Sequence, residues 1–268
     1  MNELMLGTHG PVRLRRYDAA DTSAFHGSKR KASKESERLV AELDRLQELL
    51  YASHQHSLLI ILQGLDTAGK DGTIRHVFEG VNPQGVRVAK FERPTPIESD
   101  HDFLWRVHAQ VPGRGEIAIF NRSHYEDVLA ARVDRTVARK VWERRYRAIN
   151  EFEWMLSREG TTVLKFFLHV SRKEQGERLR ERWKDPTKHW KLRRSDLVER
   201  KAWPRYTRAI EETLDRTNTS WAPWYLVPSD LRWFRDWAVV RTIVHTLRGF
   251  HLKWPPLAPG LKTSQLPR

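Results

Sequence analysis

The sequence predicts an α/β fold of three layers, with helices on both faces of a central parallel sheet of five strands. Three observations carry that reading. Short apolar runs alternate with helical stretches along the chain, which implies βαβ crossovers. The first run, Ser57–Gln63 (SLLIILQ), is apolar almost throughout, as a strand covered on both faces must be. It ends at a glycine-rich turn that opens a helix.

Taken in order, residues 1–33 are polar, basic and poorly periodic, and are expected as an extension that wraps the surface or stays mobile. Leu39, Leu43, Leu46 and Leu50 then recur at steps of four, three and four, one face of a docking helix starting near Ser36. After the first strand and its helix, residues 86–91 read as the second strand and residues 98–110 as a helix. The third strand is expected at residues 116–120, followed by a helical region over 122–158 with a break near 134–137. Thr161–His169 (TTVLKFFLH) is the fourth strand, and residues 225–227 mark the fifth, before a helix that runs to Phe250. The main domain therefore spans residues 34–250, and residues 251–268 form a Pro-rich tail.

The chain has 268 residues, enough for one α/β domain with an inserted lid. Lys plus Arg number 48 against 34 Asp plus Glu, a net charge of +14, which favours a polyanionic partner: nucleic acid, anionic membrane or a phosphate-rich small molecule. With no cysteine, disulfides and thiolate metal sites are excluded. No apolar run approaches the ~20 residues of a membrane span and no signal core opens the chain, so a cytoplasmic protein is expected.

The chemistry is carried first by GLDTAGKDGT, residues 64–73, which places Gly64, Gly69 and Lys70 in the G-x-x-x-x-G-K pattern between a strand and a helix. Glycines let backbone amides turn inward around phosphate oxygens, the helix N-terminus adds its positive end, and Lys70 adds a mobile full charge. The phosphate-binding set is thus Gly64, Ala68, Gly69, Lys70, Asp71, Gly72 and Thr73. Position 71 departs from the pattern, with Asp71 where a metal-binding hydroxyl is usual. Asp66, inside the loop, is read as a magnesium ligand, a structural cap being the alternative. For Asp71 the helix-cap reading leads. Thr73 is either a second phosphate contact or an ordinary helix residue.

The third strand runs into FNRSHYEDV, residues 120–128, with Asn121 where an acid would ordinarily end the strand and Glu126 and Asp127 following. Arg122 sits at the strand's carboxyl end, where ligands of open parallel sheets bind. Residues 178–206 interleave basic side chains with tryptophans. They read as a nucleic-acid surface, a solvated helical face or a mobile lid, and the lid explains why basic charge and a phosphate loop occur together.

The G-L-D-x-A-G-K-D-G-T loop, the F-N-R-S-H-Y-E-D-V segment and K-D-P-x-K-x-W-K together resemble the polyphosphate kinase 2 family, over nearly the whole chain and in the family's order. The resemblance implies a P-loop kinase fold like that of thymidylate kinase, with a helical lid. It implies magnesium-dependent phosphoryl transfer, reversible, between inorganic polyphosphate and nucleotides, manganese being the alternative ion. Asp66 and Asp127 would match the metal-binding and catalytic carboxylates, Lys70 and Arg122 phosphate ligands, and Arg178 and Arg182 lid arginines. Asn121, Arg122 and Glu126 would form the nucleotide side, and the Asn121–Glu126 pair resembles the subgroup that accepts AMP as well as ADP. AMP, ADP, ATP and polyphosphate are the expected partners, with no nucleic acid, no membrane and a homo-oligomeric assembly. Two rivals stand beside this reading: an ATP-dependent nucleoside monophosphate kinase of the same fold, and a P-loop ATPase that binds nucleic acid.

Overall fold

Strand β1, Ser57–Gln63, is buried along its whole length and lies in the middle of a five-stranded sheet. In this computed structural model, which describes residues 3–7 and 10–259, every strand pair is parallel and the order is β2-β3-β1-β4-β5. The other strands are β2 (Val86–Lys90), β3 (Ile117–Asn121), β4 (Thr161–His169) and β5 (Trp224–Pro228). β3, β1 and β5 are buried at every position, as the apolar runs required. The parallel sheet with flanking helices is the fold class the sequence implied.

Helix α1 (Lys29–Ser53) begins earlier than its leucine repeat signals, because Ser28 caps it by accepting from the Lys31 amide. The expected boundary between residues 33 and 34 therefore falls inside α1. The segment before it is anchored: Leu6, Val12, Leu14, Ala19 and Phe25 are buried, and the Val12 and Leu14 amides donate to Asp215 and Glu211. Residues Leu4 and Leu6 hydrogen-bond to Leu226 and Trp224, and Met5 bridges Tyr225 in antiparallel sense, so this segment covers the β5 edge.

α2 (Lys70–Val77) follows the glycine-rich loop, and α10 (Arg232–Arg248) packs with it and with α1. Arg248 grips Glu42 of α1 with two hydrogen bonds of 2.7 Å. On the other face lie α5 (Ala130–Val133), α6 (Arg139–Arg158) and α9 (Trp203–Thr217). The helix expected over 98–110 is instead two single turns, α3 (Pro96–Ser99) and α4 (Trp105–His108). Thr95 and Glu98 form a capping box at the first, and Asp102 turns the chain by accepting from Leu104, so the helix does not run through. Nor does a helix start at Arg122, whose φ is +62°. A 3-10 turn, His124–Asp127, intervenes before α5, and the break expected near 134–137 separates α5 from α6.

One polar cluster crosses the core. Lys165 on β4, fully buried, donates to Glu153 of α6 (2.7 Å), to the Tyr125 hydroxyl (3.0 Å) and to the Thr217 carbonyl (2.6 Å). Tyr125 in turn donates to the other Glu153 oxygen at 2.7 Å. Burial works to raise the Glu153 carboxyl, but Lys165 and His124 hold it below the ordinary range. The cluster ties the 3-10 turn to the sheet. Because removing one partner strands a buried charge, Lys165→Met should cost about 3–5 kcal/mol in denaturant unfolding. Lys165→Met combined with Glu153→Leu should recover most of that loss. Equal stability of the single and wild-type proteins would contradict the assignment.

Candidate active site

The carboxyl ends of β1 and β3 carry the groups that the motifs singled out. The loop after β1 turns on Gly64 (φ +154°) and Gly69 (φ +113°). A Cβ on Gly64 would come within 2.8 Å of the Leu168 carbonyl, and one on Gly69 would run into the Arg235 guanidinium. Thr67, a β-branched residue, holds φ +67°, and Arg122 opposite it is also left-handed. Non-glycine residues in this conformation carry strain and cluster at functional sites.

Loop carbonyls face backward and are met by cations. Lys70 Nζ donates to Gly64 (2.6 Å) and Leu65 (3.3 Å), so it is buried against its own loop and not the mobile charge expected. Arg178 donates to the Thr67 and Ala68 carbonyls (2.9 and 3.1 Å), to Ser229 and Asp230 (2.6 and 3.0 Å), and through Nε to Glu174 (2.7 Å). All five of its N–H groups are engaged. Arg178 therefore supports the loop from beneath here, where the resemblance expected a lid arginine over phosphates. Arg235 stacks under Gly69 and pairs with Asp236 at 2.7 Å, which also accepts from Thr73. Thr73 is thereby buried behind the loop.

In front of the loop, Arg122 is ion-paired with Asp66 and lies 3.5 Å from Glu126, which accepts from Gln63 at 3.2 Å. Burial would raise the Asp66 carboxyl, yet Arg122 and Lys70 hold it below its usual value. Asn121 donates to Asp71 at 2.6 Å, tying the end of β3 to the first turn of α2. Asp127 sits apart from this group, between Arg106 (3.5 Å) and Arg145 (3.4 Å), and burial pushes its carboxyl up despite both. Asp66, Arg122 and Glu126 thus form one interacting group, while Asp127 faces a second pair of arginines.

The lid stretch comprises the end of α7 (Arg172–Lys184), a 3-10 turn (Pro186–Lys191), α8 (Arg194–Lys201) and the start of α9. Arg182 donates to the Lys191 carbonyl and lies 3.5 Å from Asp196. Where Arg178 of α7 meets the loop as a base, α8 meets it through an acid: Glu199 accepts from the Asp66 amide at 2.7 Å. Arg106, Arg145, Asp196, Glu199 and Arg235 were not singled out from sequence. Asp196 and Glu199 did carry a signal, two acids three residues apart in a run of arginines and lysines. Among the described residues no group of three His, Cys, Asp or Glu side chains is gathered as a metal cage, and no helix is long and apolar enough to cross a membrane.

The two arginines assigned to the lid should separate on mutation. Arg178→Ala leaves four carbonyls and a carboxylate without their donor, and should lower unfolding free energy by about 3 kcal/mol or more. Arg182→Ala, on the half-exposed lid, should change it by under about 1 kcal/mol. Chemical denaturation of both variants measures the difference; equal losses would mean that Arg178 does not carry the loop.

The chain is similar to known proteins over most of its length. The family model described as polyphosphate kinase 2 matches residues 26–253. An AMP/ADP-polyphosphate phosphotransferase of Meiothermus ruber is 52% identical over 255 residues, 95% of this chain and 96% of its own. An ADP-polyphosphate phosphotransferase of Rhodopseudomonas palustris is 41% identical, covering 85% of this chain and 83% of its own. The crystal structure of polyphosphate kinase 2 from Arthrobacter aurescens superposes with a TM-score of 0.93 at 40% identity, over 98% of this chain and 93% of that one. With a phosphate loop, an arginine–carboxylate group at the sheet's carboxyl edge and a lid above them, this chain belongs to the polyphosphate kinase 2 family.

Proposed function

We propose that this chain transfers phosphoryl groups between inorganic polyphosphate and AMP or ADP, reversibly and with magnesium. The observation that carries the reading is the meeting of the glycine-rich loop with Arg122, Asp66 and Glu126 at one edge of the sheet. That edge lies in a chain whose Meiothermus ruber relative is named for both nucleotides. Loop amides and Lys70 bind the terminal phosphates of the chain. Arg122 offsets negative charge on the transferred group, and Glu126 lies on the acceptor side. An anionic oxygen of the nucleotide's last phosphate attacks the terminal phosphorus. The bridging P–O bond breaks and its oxygen keeps the electron pair, so no proton need be removed from the acceptor. Catalysis is then alignment and charge neutralisation.

Asp66 and Asp127 offer only oxygen donors, which suits a hard divalent cation. Magnesium is held by one or two carboxylates together with substrate phosphates and water, so two acids without a third protein ligand fit it, and manganese is the alternative ion. When bound, the ion would neutralise phosphate charge between donor and acceptor. Asp127 is the acid we assign to the metal and the reacting phosphates.

Both this reading and the rival with ATP as donor need a place for a nucleoside. A cavity of about 580 Å³ adjoins the loop at Leu65 and is walled by Leu14, Phe167, Trp203 and Ile210, a size that suits a nucleoside. Purified protein with Mg²⁺, AMP and polyphosphate should form ADP and ATP with no ATP supplied. Product that appears only with ATP as donor would move the assignment to the ATP-dependent kinase.

The two acids of the 3-10 turn should behave differently. Asp127→Asn keeps the shape and removes the charge, and should lower kcat by at least about 100-fold while polyphosphate still binds. Glu126→Gln should retain turnover and change the ratio of kcat/KM for AMP to that for ADP. Near-normal rates for Asp127→Asn, with Glu126 indispensable, would reverse the two roles.

A further inference from the structure

α8 brings two acids into the phosphate loop. Asp196 and Glu199 are three residues apart and so share one helix face, and both are buried. Glu199 Oε1 accepts from the Asp66 backbone amide at 2.7 Å. The Asp196 carboxyl feels the charge of Asp66, and it also meets Arg182 and the Arg193 amide. Three carboxyls therefore crowd one turn of the loop. Around Glu199 stand Lys70 and Arg122 as the offsetting cations, with Gln63, Glu126 and Tyr206 lining the same narrow cleft. Burial and the charge of Asp66 push Glu199 up to about 8 and Asp196 up to about 6.

The position of Glu199 is unlike that of its neighbours. Arg193, Arg194, Arg200 and Lys201 flank it in sequence, yet it is the acid that reaches the loop. A carboxyl and a phosphate are alike at this place: each offers an oxygen that can accept from an amide beside Lys70 and Arg122. We infer that Glu199 is an internal competitor for the phosphate loop, holding the Asp66 amide that a polyphosphate oxygen would take, so that the polyanion binds as Glu199 withdraws. The inference rests on the phosphate-binding role of the loop proposed above. It makes Glu199 a positioning residue that couples lid to loop, and it gives the lid a way to respond to the loop's occupant. A polyphosphate oxygen that takes the Asp66 amide leaves Glu199 without its donor, and the incoming negative charge crowds Asp66, so α8 is displaced outward. Only the Asp66 amide and the two cations are shared between the rivals, so losing Glu199 removes competition without removing a phosphate ligand.

The test is titration calorimetry of the full chain with inorganic tripolyphosphate and Mg²⁺ at neutral pH, comparing wild type, Glu199→Ala and Glu199→Gln. Glu199→Ala should bind about tenfold more tightly, equivalent to about 1.4 kcal/mol. Glu199→Gln, which keeps an acceptor of the same shape at the Asp66 amide, should fall between it and wild type. Thermal melting checks folding, and the midpoint should hold or rise because a crowded carboxyl is gone. In steady state the same variants should show a lower KM for polyphosphate, since a merely structural residue would not tighten a substrate. Weaker binding by both variants would make Glu199 part of the bound site and overturn the inference. Unchanged binding overturns it too. If wild type itself does not bind tripolyphosphate, the proposed function fails and this inference fails with it.

Discussion

The loop after β1 turns its carbonyls into the protein, where each needs a donor. Everything around β1 answers to that constraint. Lys70 meets the Gly64 and Leu65 carbonyls, Arg178 meets Thr67 and Ala68, and Arg235 stacks against Gly69. These cations come from α2, α7 and α10, so three helices are pinned by one loop. Arg235 also accounts for the second glycine, because its guanidinium occupies the space a side chain would need.

The front of the loop is built from opposed charges of the same kind. Arg122 reaches Asp66 on one side and Glu126 on the other from a left-handed backbone. Such a conformation persists only where the surroundings over-determine it. The Arg122 amide donates to Leu62 of β1, and the 3-10 turn just beyond it is held by the Lys165–Glu153–Tyr125 cluster. Fixing that short turn to the sheet keeps two acids at set places without a long helix to carry them.

Much of this was readable from residues. β1 and β4 fall on the residues their apolar runs marked, because a strand buried on both faces leaves an unbroken signature. The phosphate loop was legible because glycine and lysine are needed at fixed places. The helix over 98–110 was not, since a capping box and an aspartate turn outweighed its periodicity. Lys70 was read as a mobile charge and Arg178 as a lid arginine: sequence shows a charge but not the carbonyls that absorb it. Arg235 gave no signal, as its partner Ala68 is most of the chain away. Asp196 and Glu199 were hidden by the basic residues around them, and only the fold shows which side chains of a mixed run turn inward.

The pairing of residues 4–6 with β5 has a consequence for how the molecule comes to be made. Residues 4–6 leave the ribosome long before residues 224–226, the partner they pair with. Until then the β5 side of the sheet does not exist, and its later closure is among the most non-local contacts in the protein. Once closed, it leaves the two rims of the sheet unequal. One is sealed by the chain's own beginning, and the other, β2, is lined by Arg87 and Lys90, charges of the kind that discourage a stray strand from adding on.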